Sequence, residues 1–544
     1  MSQSLQNYYT YELIYGLFGQ NCNNSGCHNN IDQAGNLDLQ GDGSSLYQKK
    51  ISVYNDLFFQ KASNSASAEK NEYLVYPGDP YRSYLFRKIN NGLASGLDLG
   101  PNEGDAMPSG QSPLNNKEIE LIRQWILFGA PIDKTVIDPA IIIDYYDNGG
   151  FNPLTFAPAP PAEGEGFQIH AGPFFLPPSA NKIIEHEYYS KYSDLLKEAS
   201  EIVSIETHMS NYSHHVILNK YADNEAAQVP YGLRSNHDYS NTEFVSGTQY
   251  SNEWKLPEGS AFLWNESTEL DVNIHFVNYS HDKTVACEAY INVYTQEKGI
   301  SDNIMQSKLF SYQDLIIPND GETYFFEEEI FAYNTYPINI WAIQGHTHSL
   351  GTDFHVYLMD EDQEKGKKIY DGGCPQGVTG CQFENFQYDH LPTALYQPYE
   401  VMGEHGGLIY EASYENNTDK EVRFGLKSTD EMMLFVMYYT IDSSEKLLIP
   451  VPVDSFTTSE SISVFPNPAT DQISFLLDKE LSGAVDIRIY DTRGQLQFQE
   501  KRFLNSEPLN VSLEGIQGLL NSGLYLITVS DDQQLIAKEK LIIR

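Results

Sequence analysis

Positive charge is scarce in this chain. Lys and Arg number 34 against 75 Asp and Glu, a formal net charge of −41 over 544 residues. A surface so acidic repels phosphate backbones and anionic lipid, which excludes nucleic acid and charged membrane surfaces as partners. Cysteine is also sparse: Cys22, Cys27, Cys287, Cys374 and Cys381 are too few for a fold built on disulfides. No apolar run approaches the roughly 20 residues needed to span a bilayer. The opening stretch, MSQSLQNYYTYELIYGLFGQ, lacks the basic segment and apolar run of a secretory signal. Either a cytoplasmic protein or a mature chain with its signal removed is therefore expected. Long amphipathic helices are missing from the middle of the chain, where only SKYSDLLKEAS, residues 190–200, suggests a helical turn.

What is present points to several domains. The length is several times that of a usual domain, and 41% apolar residues suffice for ordinary cores. Residues 1–133 end in LNNKEIELIRQWILFGAP, whose Ile119, Leu121, Ile122, Trp125, Ile126 and Leu127 mark an amphipathic helix. Residues 134–165 contain FNPLTFAPAPPAEGE, rich in Pro, Gly and Ala, and read as a semi-rigid linker. From 166 to about 450 the runs EIVSIET, HHVILNKY, ELDVNIHFVNYS and DEMMLFVMYYT are rich in Val, Ile and Tyr and bounded by turns. Two antiparallel sandwiches, 166–297 and 298–452, account for that length. Residues 453–544 alternate short strands with Pro, Asn and Gly turns, as in a small sandwich.

Near the start, LFGQNCNNSGCHNN sets Cys22 and Cys27 just before His28. Two thiols followed at once by histidine is the pattern of covalent haem attachment, although four residues between the cysteines is a long spacing. A disulfide loop remains an alternative on these residues alone. The series continues with VYPGDPYRSYLFRKI, GDAMPSG and the closing RQWILFGAP. Together these resemble the small cytochrome c domains fused to secreted bacterial proteins. That resemblance implies one covalent haem c held by Cys22, Cys27 and His28, with Met107 as second axial ligand. Such a His/Met pair leaves no open position and suits electron transfer.

At the other end, VFPNPATDQISFLL, VDIRIYDTRGQLQ and SGLYLITV resemble the C-terminal sorting domain of bacterial type IX secretion. The resemblance implies export by that machinery to the cell surface or medium, which agrees with a haem attached outside the cytoplasm.

Between these ends, three histidine features stand out: His214–His215 in NYSHHVILNKY, His275 in LDVNIHFVN, and His346 and His348 in QGHTHSLG. Side chains alternate along a strand, so His346 and His348 share a face. His214 and His215 point apart on a regular strand and can reach one ion only at a bend or strand end. Each feature alone is also compatible with an ordinary polar strand. Their order, followed by STDEMMLFVMYY, is similar to the copper type II monooxygenases that hydroxylate peptidylglycine and dopamine. The resemblance implies two copper ions, one on His214, His215 and His275 and one on His346, His348 and Met432, the latter site being the catalytic one. A thioether beside imidazoles favours Cu(I). Met433 and Met437 read as packing residues.

It further implies O2 and an organic substrate, with electrons from an ascorbate-like reductant or a redox protein, here the fused haem. Departures matter as well. Gln344, Leu434 and Val436 stand where the peptide-hydroxylating members hold substrate with Arg, Asn and Tyr, so a more apolar substrate is expected. Ala412 and Met433 replace a family disulfide, Cys374 and Cys381 can close a local loop, and Cys287 reads as a buried free thiol. The leading expectation is a secreted copper monooxygenase with a built-in cytochrome. The alternative is an extracellular electron-transfer or copper-binding protein without hydroxylase activity.

Overall fold

The computed structural model describes residues 8–441, apart from 71, 222–224, 236–241, 332–335, 374–385, 389–390, 404–405, 426 and 428, together with the tail strands between 460 and 543. Two compact units result, Met1–Asp442 and Ser443–Arg544. Cys374 and Cys381 lie outside the described residues.

The first unit opens with helices α1 (Thr10–Asn21), α2 (Leu46–Leu57), α3 (Ser65–Glu69), α4 (Tyr84–Ile89), α5 (Asn116–Leu127) and α6 (Pro139–Asp147). Capping boxes start α2 at Ser45 with Gln48 and α5 at Asn115 with Glu118, each satisfying two otherwise orphaned N–H groups. α1 packs on α5, Tyr11 stacking on Trp125 at 5.4 Å between ring centroids. Ile14, Phe18, Phe86, Ile122 and Ile126 fill the core around that pair.

Part of the expected linker is folded. Pro139 at the first helical position and Asp138 capping Ala140 N–H start α6, and buried Ile142 holds it to the helical core. The Pro-rich composition of 151–165 marks only that stretch as linker-like and says nothing about the residues before it. The helical turn expected in SKYSDLLKEAS is absent. Lys191 and Tyr192 end a strand, and Leu195 and Leu196 pack on a β core.

Next come β1 (Gly166–Leu176), β2 (Ile184–Tyr192), β3 (Ser200–Met209), β4 (Ser213–Tyr221), β5 (Thr242–Thr248), β6 (Asn252–Lys255), β7 (Ser260–Trp264), β8 (Leu270–Asn278), β9 (Val285–Glu297) and β10 (Asn303–Ile304). One sheet runs β1-β9-β3-β7-β10 with β6 on β3, the other β2-β8-β4-β5. Between them sits a core that includes Phe174, Ile205, Leu218, Ile274 and Ile291. Cys287 lies fully buried there as a free thiol.

The following strands are β11 (Gln306–Ser311), β12 (Ile316–Ile317), β13 (Thr323–Phe331), β14 (Ile338–Thr347), β15 (Gly351–Met359), β16 (Lys365–Asp371), β17 (Thr393–Met402), β18 (Gly407–Glu415), β19 (Val422–Arg423) and β20 (Met433–Ile441). Sheets β11-β20-β14-β17 and β13-β18-β15-β16 enclose a second core. Ala412, Met433 and Met437 are all buried in it as apolar packing residues.

Neither sandwich stands apart from its neighbour. Trp254 meets Trp341 at 4.9 Å and Tyr438 at 4.7 Å between ring centroids, joining the two cores. Against the first sandwich, the helical region is docked with its backbone nearly in contact. Leu127 of α5 belongs to the sandwich core, Leu233 N–H donates to its carbonyl at 3.0 Å, and Gln124 donates to the Pro173 carbonyl at 2.6 Å. Gly232 adopts φ +89°, and a Cβ there would sit 2.1 Å from the Gly129 nitrogen, so only glycine fits.

The second unit holds β21 (Glu460–Ser461), β22 (Ser463–Phe465), β23 (Gln472–Asp491), β24 (Leu496–Glu514), β25 (Gly523–Asp531) and β26 (Leu535–Ile543). Expected as a sandwich, the described strands join into one six-stranded sheet. Register shifts at Leu477/Glu480 and Leu481/Ser482 interrupt its long β23–β24 hairpin, the kind of bulge that lets a long ribbon bend.

Candidate metal centre

His214 and His215 begin β4, and the pairing of β4 with β8 slips at that point. Ser213 opposes Phe276 and His215 opposes His275, so His214 is the extra residue of a β-bulge. The bulge cancels the alternation that would send adjacent side chains to opposite faces. As a result the ring nitrogens of His214, His215 and His275 lie within 4.8 Å of one another. The Nδ1 atoms of His214 and His215 are 3.3 Å apart. Ligand bonds of about 2.0–2.1 Å at tetrahedral angles separate two nitrogens by about 3.4 Å, so the pair is spaced as co-ligands of one ion.

The outward nitrogens settle the tautomers. His215 Nε2 lies 2.6 Å from Asn273 Oδ1 and 3.5 Å from Glu187, and His275 Nε2 lies 3.1 Å from Glu185. All three partners are acceptors, so Nε2 carries the proton and Nδ1 keeps its lone pair for the centre. This is the carboxylate–histidine arrangement that orients metal-binding imidazoles. Glu187 also accepts from Asn273 at 2.9 Å and Tyr189 at 2.9 Å. Burial opposes its charge, yet the hydrogen bonds from His215, Asn273 and Tyr189 bring its carboxyl down to about 2. Burial, followed by the neighbouring imidazoles, brings both His214 and His275 down to about 4, so both are neutral at pH 7.

The second cluster is built at the end of β14. His346 opposes Leu434 and Thr347 opposes Met433 across β20. Continuing that register sets Met432 level with His348, on the face His346 shares. Gly345 precedes them because a Cβ there would press on the rings of Tyr370 and Phe354. Glu431, fully buried, ties the pieces together by accepting the backbone N–H groups of His348, of Leu350 at 2.9 Å and of Met432 at 2.8 Å. Burial outweighs those three bonds and pushes its carboxyl up to about 7. His348 Nδ1 donates to the Asp430 carbonyl at 2.9 Å, which leaves Nε2 free to bind. Burial holds His346 well below its ordinary value, helped by His348, His215 and His214. The two clusters lie near enough that each opposes protonation of the other.

Of the six positions expected to hold copper, His214, His215 and His275 come together through their side chains, and His346 and His348 pair with rings 5.2 Å apart. Met432 directly precedes β20, next in line after the Thr347–Met433 pair. Gln344 and Val436 oppose each other on β14 and β20. Sequence reasoning missed Glu185, Glu187, Asn273 and Glu431. Only the alternation of Glu185, His186 and Glu187 in β2 hinted at two carboxylates on one face.

In the helical region, α1 ends at Cys22, and His28 N–H returns to the Cys22 carbonyl at 3.1 Å. Cys22 and Cys27 are free thiols, so no disulfide closes the loop. Asn29 and Asp32 pin it, Asp32 accepting the Gly26 N–H at 2.7 Å. Burial raises the Cys22 thiol to about 12. The buried Nδ1 of His28 has no hydrogen-bond partner, an orphan that a group seated on this loop would explain. Cys22 and Met107 border the same helical core.

Residues 463–544 match the family model described as the secretion system C-terminal sorting domain. A tail of this family marks a secreted or cell-surface protein handled by the type IX secretion machinery. No curated protein matches the chain. Among solved structures, the chain is similar to the β-glucuronidase of Ruminococcus gnavus bound to uronic isofagomine, at 12% identity over 44% of each chain with a TM-score of 0.14. The same enzyme bound to uronic deoxynojirimycin shows 13% identity over 42% of this chain and 36% of that one, TM-score 0.12. The chain thus spans less than half the length of these structures, and a likeness so slight carries no argument. Among the described residues, no helix is long and apolar enough to cross a membrane.

Proposed function

We propose that the first unit is a copper-dependent monooxygenase with a cytochrome c-like region docked on it, delivered to the cell exterior by the tail. The observation that carries the reading is the bulge at His214, which converges three imidazoles with the outer nitrogens of His215 and His275 each held by an acceptor. His214, His215 and His275 would hold one copper through Nδ1, and His346, His348 and Met432 the other. Copper bound there supplies oxygen reduction and hydrogen-atom removal from a substrate C–H bond, and a haem on Cys22, Cys27, His28 and Met107 supplies electrons.

The chain's own residues have separate tasks. Glu185 and Glu187 keep two imidazoles proton-free on the binding side. Glu431 fixes the approach of His348 to Met432, and its carboxyl, raised to about 7, can be neutral in that buried position. Gln344 stands where an ion-pairing anchor would hold a charged substrate, and Leu434, opposite His346, presents an apolar side chain. An apolar organic substrate fits this better than a peptide carboxylate. Metal analysis of the full chain tests the reading: two coppers and one iron per chain, with O2 consumed in the presence of reductant and substrate, is the expected result. One iron and no copper would sink it.

A second reading has its own support. Gln344, Leu434 and Val436 leave no charged substrate anchor beside His346, which favours an extracellular electron-transfer or copper-binding protein without hydroxylation. Copper that cycles with the haem while no substrate is oxygenated would select it.

A further inference from the structure

A further cluster of metal-binding type, separate from the two histidine clusters, lies on the outer face of the sheet β13-β18-β15-β16. In the strand pairing, His355 of β15 stands opposite Asp371 of β16 on one side and Glu411 of β18 on the other. Asp353, two residues before His355, shares its face. Phe354 and Val356 point the other way, into the core. An outward face is ordinarily exposed, yet Asp353 and His355 retain only 8% and 7% of their accessible surface.

The imidazole is oriented as in metal sites. Nδ1 faces Glu411 Oε1 at 3.0 Å, and Glu411 is itself held by the Tyr357 hydroxyl at 2.9 Å and by Lys365. On the other side of the ring, Nε2 faces two carboxylates at once, Asp353 Oδ1 at 3.3 Å and Asp371 Oδ2 at 3.5 Å. A single N–H donated to a carboxylate closes to about 2.7–2.9 Å, and one proton cannot serve two oxygens well. Ligands about 2.0–2.2 Å from a tetrahedral ion stand about 3.4 Å apart, which is the spacing found. Lys368 reaches Asp371 Oδ2 at 2.6 Å from a flexible, largely exposed side chain, and is the cation an incoming ion would displace.

We propose that Asp353, His355 and Asp371 form a divalent-cation site of the zinc class, with Glu411 as the positioning residue for the imidazole. One imidazole, two carboxylates and a water complete a tetrahedral set. The ion joins the edge strand β16 to β15 and so secures an edge that otherwise rests on its hairpin pairing. The inference is independent of the copper reading, and either can fail while the other stands.

The test uses chelator-stripped full-length protein and Zn²⁺ alone. Crystals soaked in zinc are measured at the zinc absorption edge, and an anomalous peak among Asp353, His355 and Asp371 is expected. Equilibrium titration should show one zinc equivalent that the D353N/D371N variant loses, while zinc taken up at the other histidines is unchanged. Removing the two carboxylate charges releases only Lys368, whose ammonium is open to water, and Glu411→Gln, which spares all three ligands, should weaken that equivalent by about 10–100-fold. No peak at these three residues in the parent protein overturns the proposal whatever the variants do, as does equal stoichiometry in parent and D353N/D371N.

Discussion

Replacing Glu187 separates a metal-positioning role from a merely structural one. In the folded protein it accepts from Asn273 and Tyr189 and faces His215, and its carboxyl lies near 2 against an ordinary 4.5. A shift of that size corresponds to about 3 kcal/mol, and allowing for its quarter-exposed side chain leaves about 2 kcal/mol. Because the folded value is depressed, this contribution is complete above pH 4.5 and disappears only as the pH falls toward 2. Glu187→Gln keeps the shape and should lower Tm of the unit Met1–Asp442 by about 2 °C equally at pH 6 and pH 8. Glu187→Ala should also weaken metal at the three-histidine cluster by about 10–100-fold, because Asn273 loses the carboxylate that orients its amide oxygen toward His215. Competition titration with a copper chelator reads the affinity, and differential scanning calorimetry reads Tm. If Glu187→Ala melts earlier yet binds copper as tightly as the parent, the orienting role is wrong.

Further outcomes follow from the same geometry. His214 and His275 sit near 4 against an ordinary 6.5, so stability is fully present above pH 6.5 and falls as the pH drops toward 4, by about 3 kcal/mol for buried His275; chemical denaturation at pH 7 and pH 5 should show about 2 kcal/mol of this, and bound copper should add to the difference. Gly232→Ala has no room against Gly129 and a positive φ to adopt, and should cost more than about 2 kcal/mol, seen as earlier proteolysis between residues 151 and 165. Cys22→Ala/Cys27→Ala should abolish covalent haem in denaturing gels, whereas Met107→Ala should keep the haem but change its reduction potential. A parent protein expressed with haem-attachment machinery and still lacking haem would refute that assignment.

Much of the architecture is legible in the amino-acid order. Strand runs rich in Val, Ile and Tyr, the helix around Trp125 and the tail turns carry strong local patterns, and the parity of His346 and His348 follows from strand geometry alone. The bulge at His214 is not legible, because no Gly or Pro marks it and it exists only relative to the register of β8. Glu187 reaches His215 across an intervening strand, which no local pattern encodes. Residues 139–147 were obscured by the Pro-rich stretch after them, although Asp138–Pro139 is a good start signal. Lys191 and Tyr192 follow strand pairing where local composition suggested a turn of helix.

The close meeting of Gly129 with Gly232 has a kinetic consequence. A redox region on a floppy leash would exchange electrons at a pace set by diffusion of the leash. Here backbone touches backbone, so any redox groups on the two sides keep a constant tunnelling gap, and their exchange should run at one rate in glycerol and in water alike.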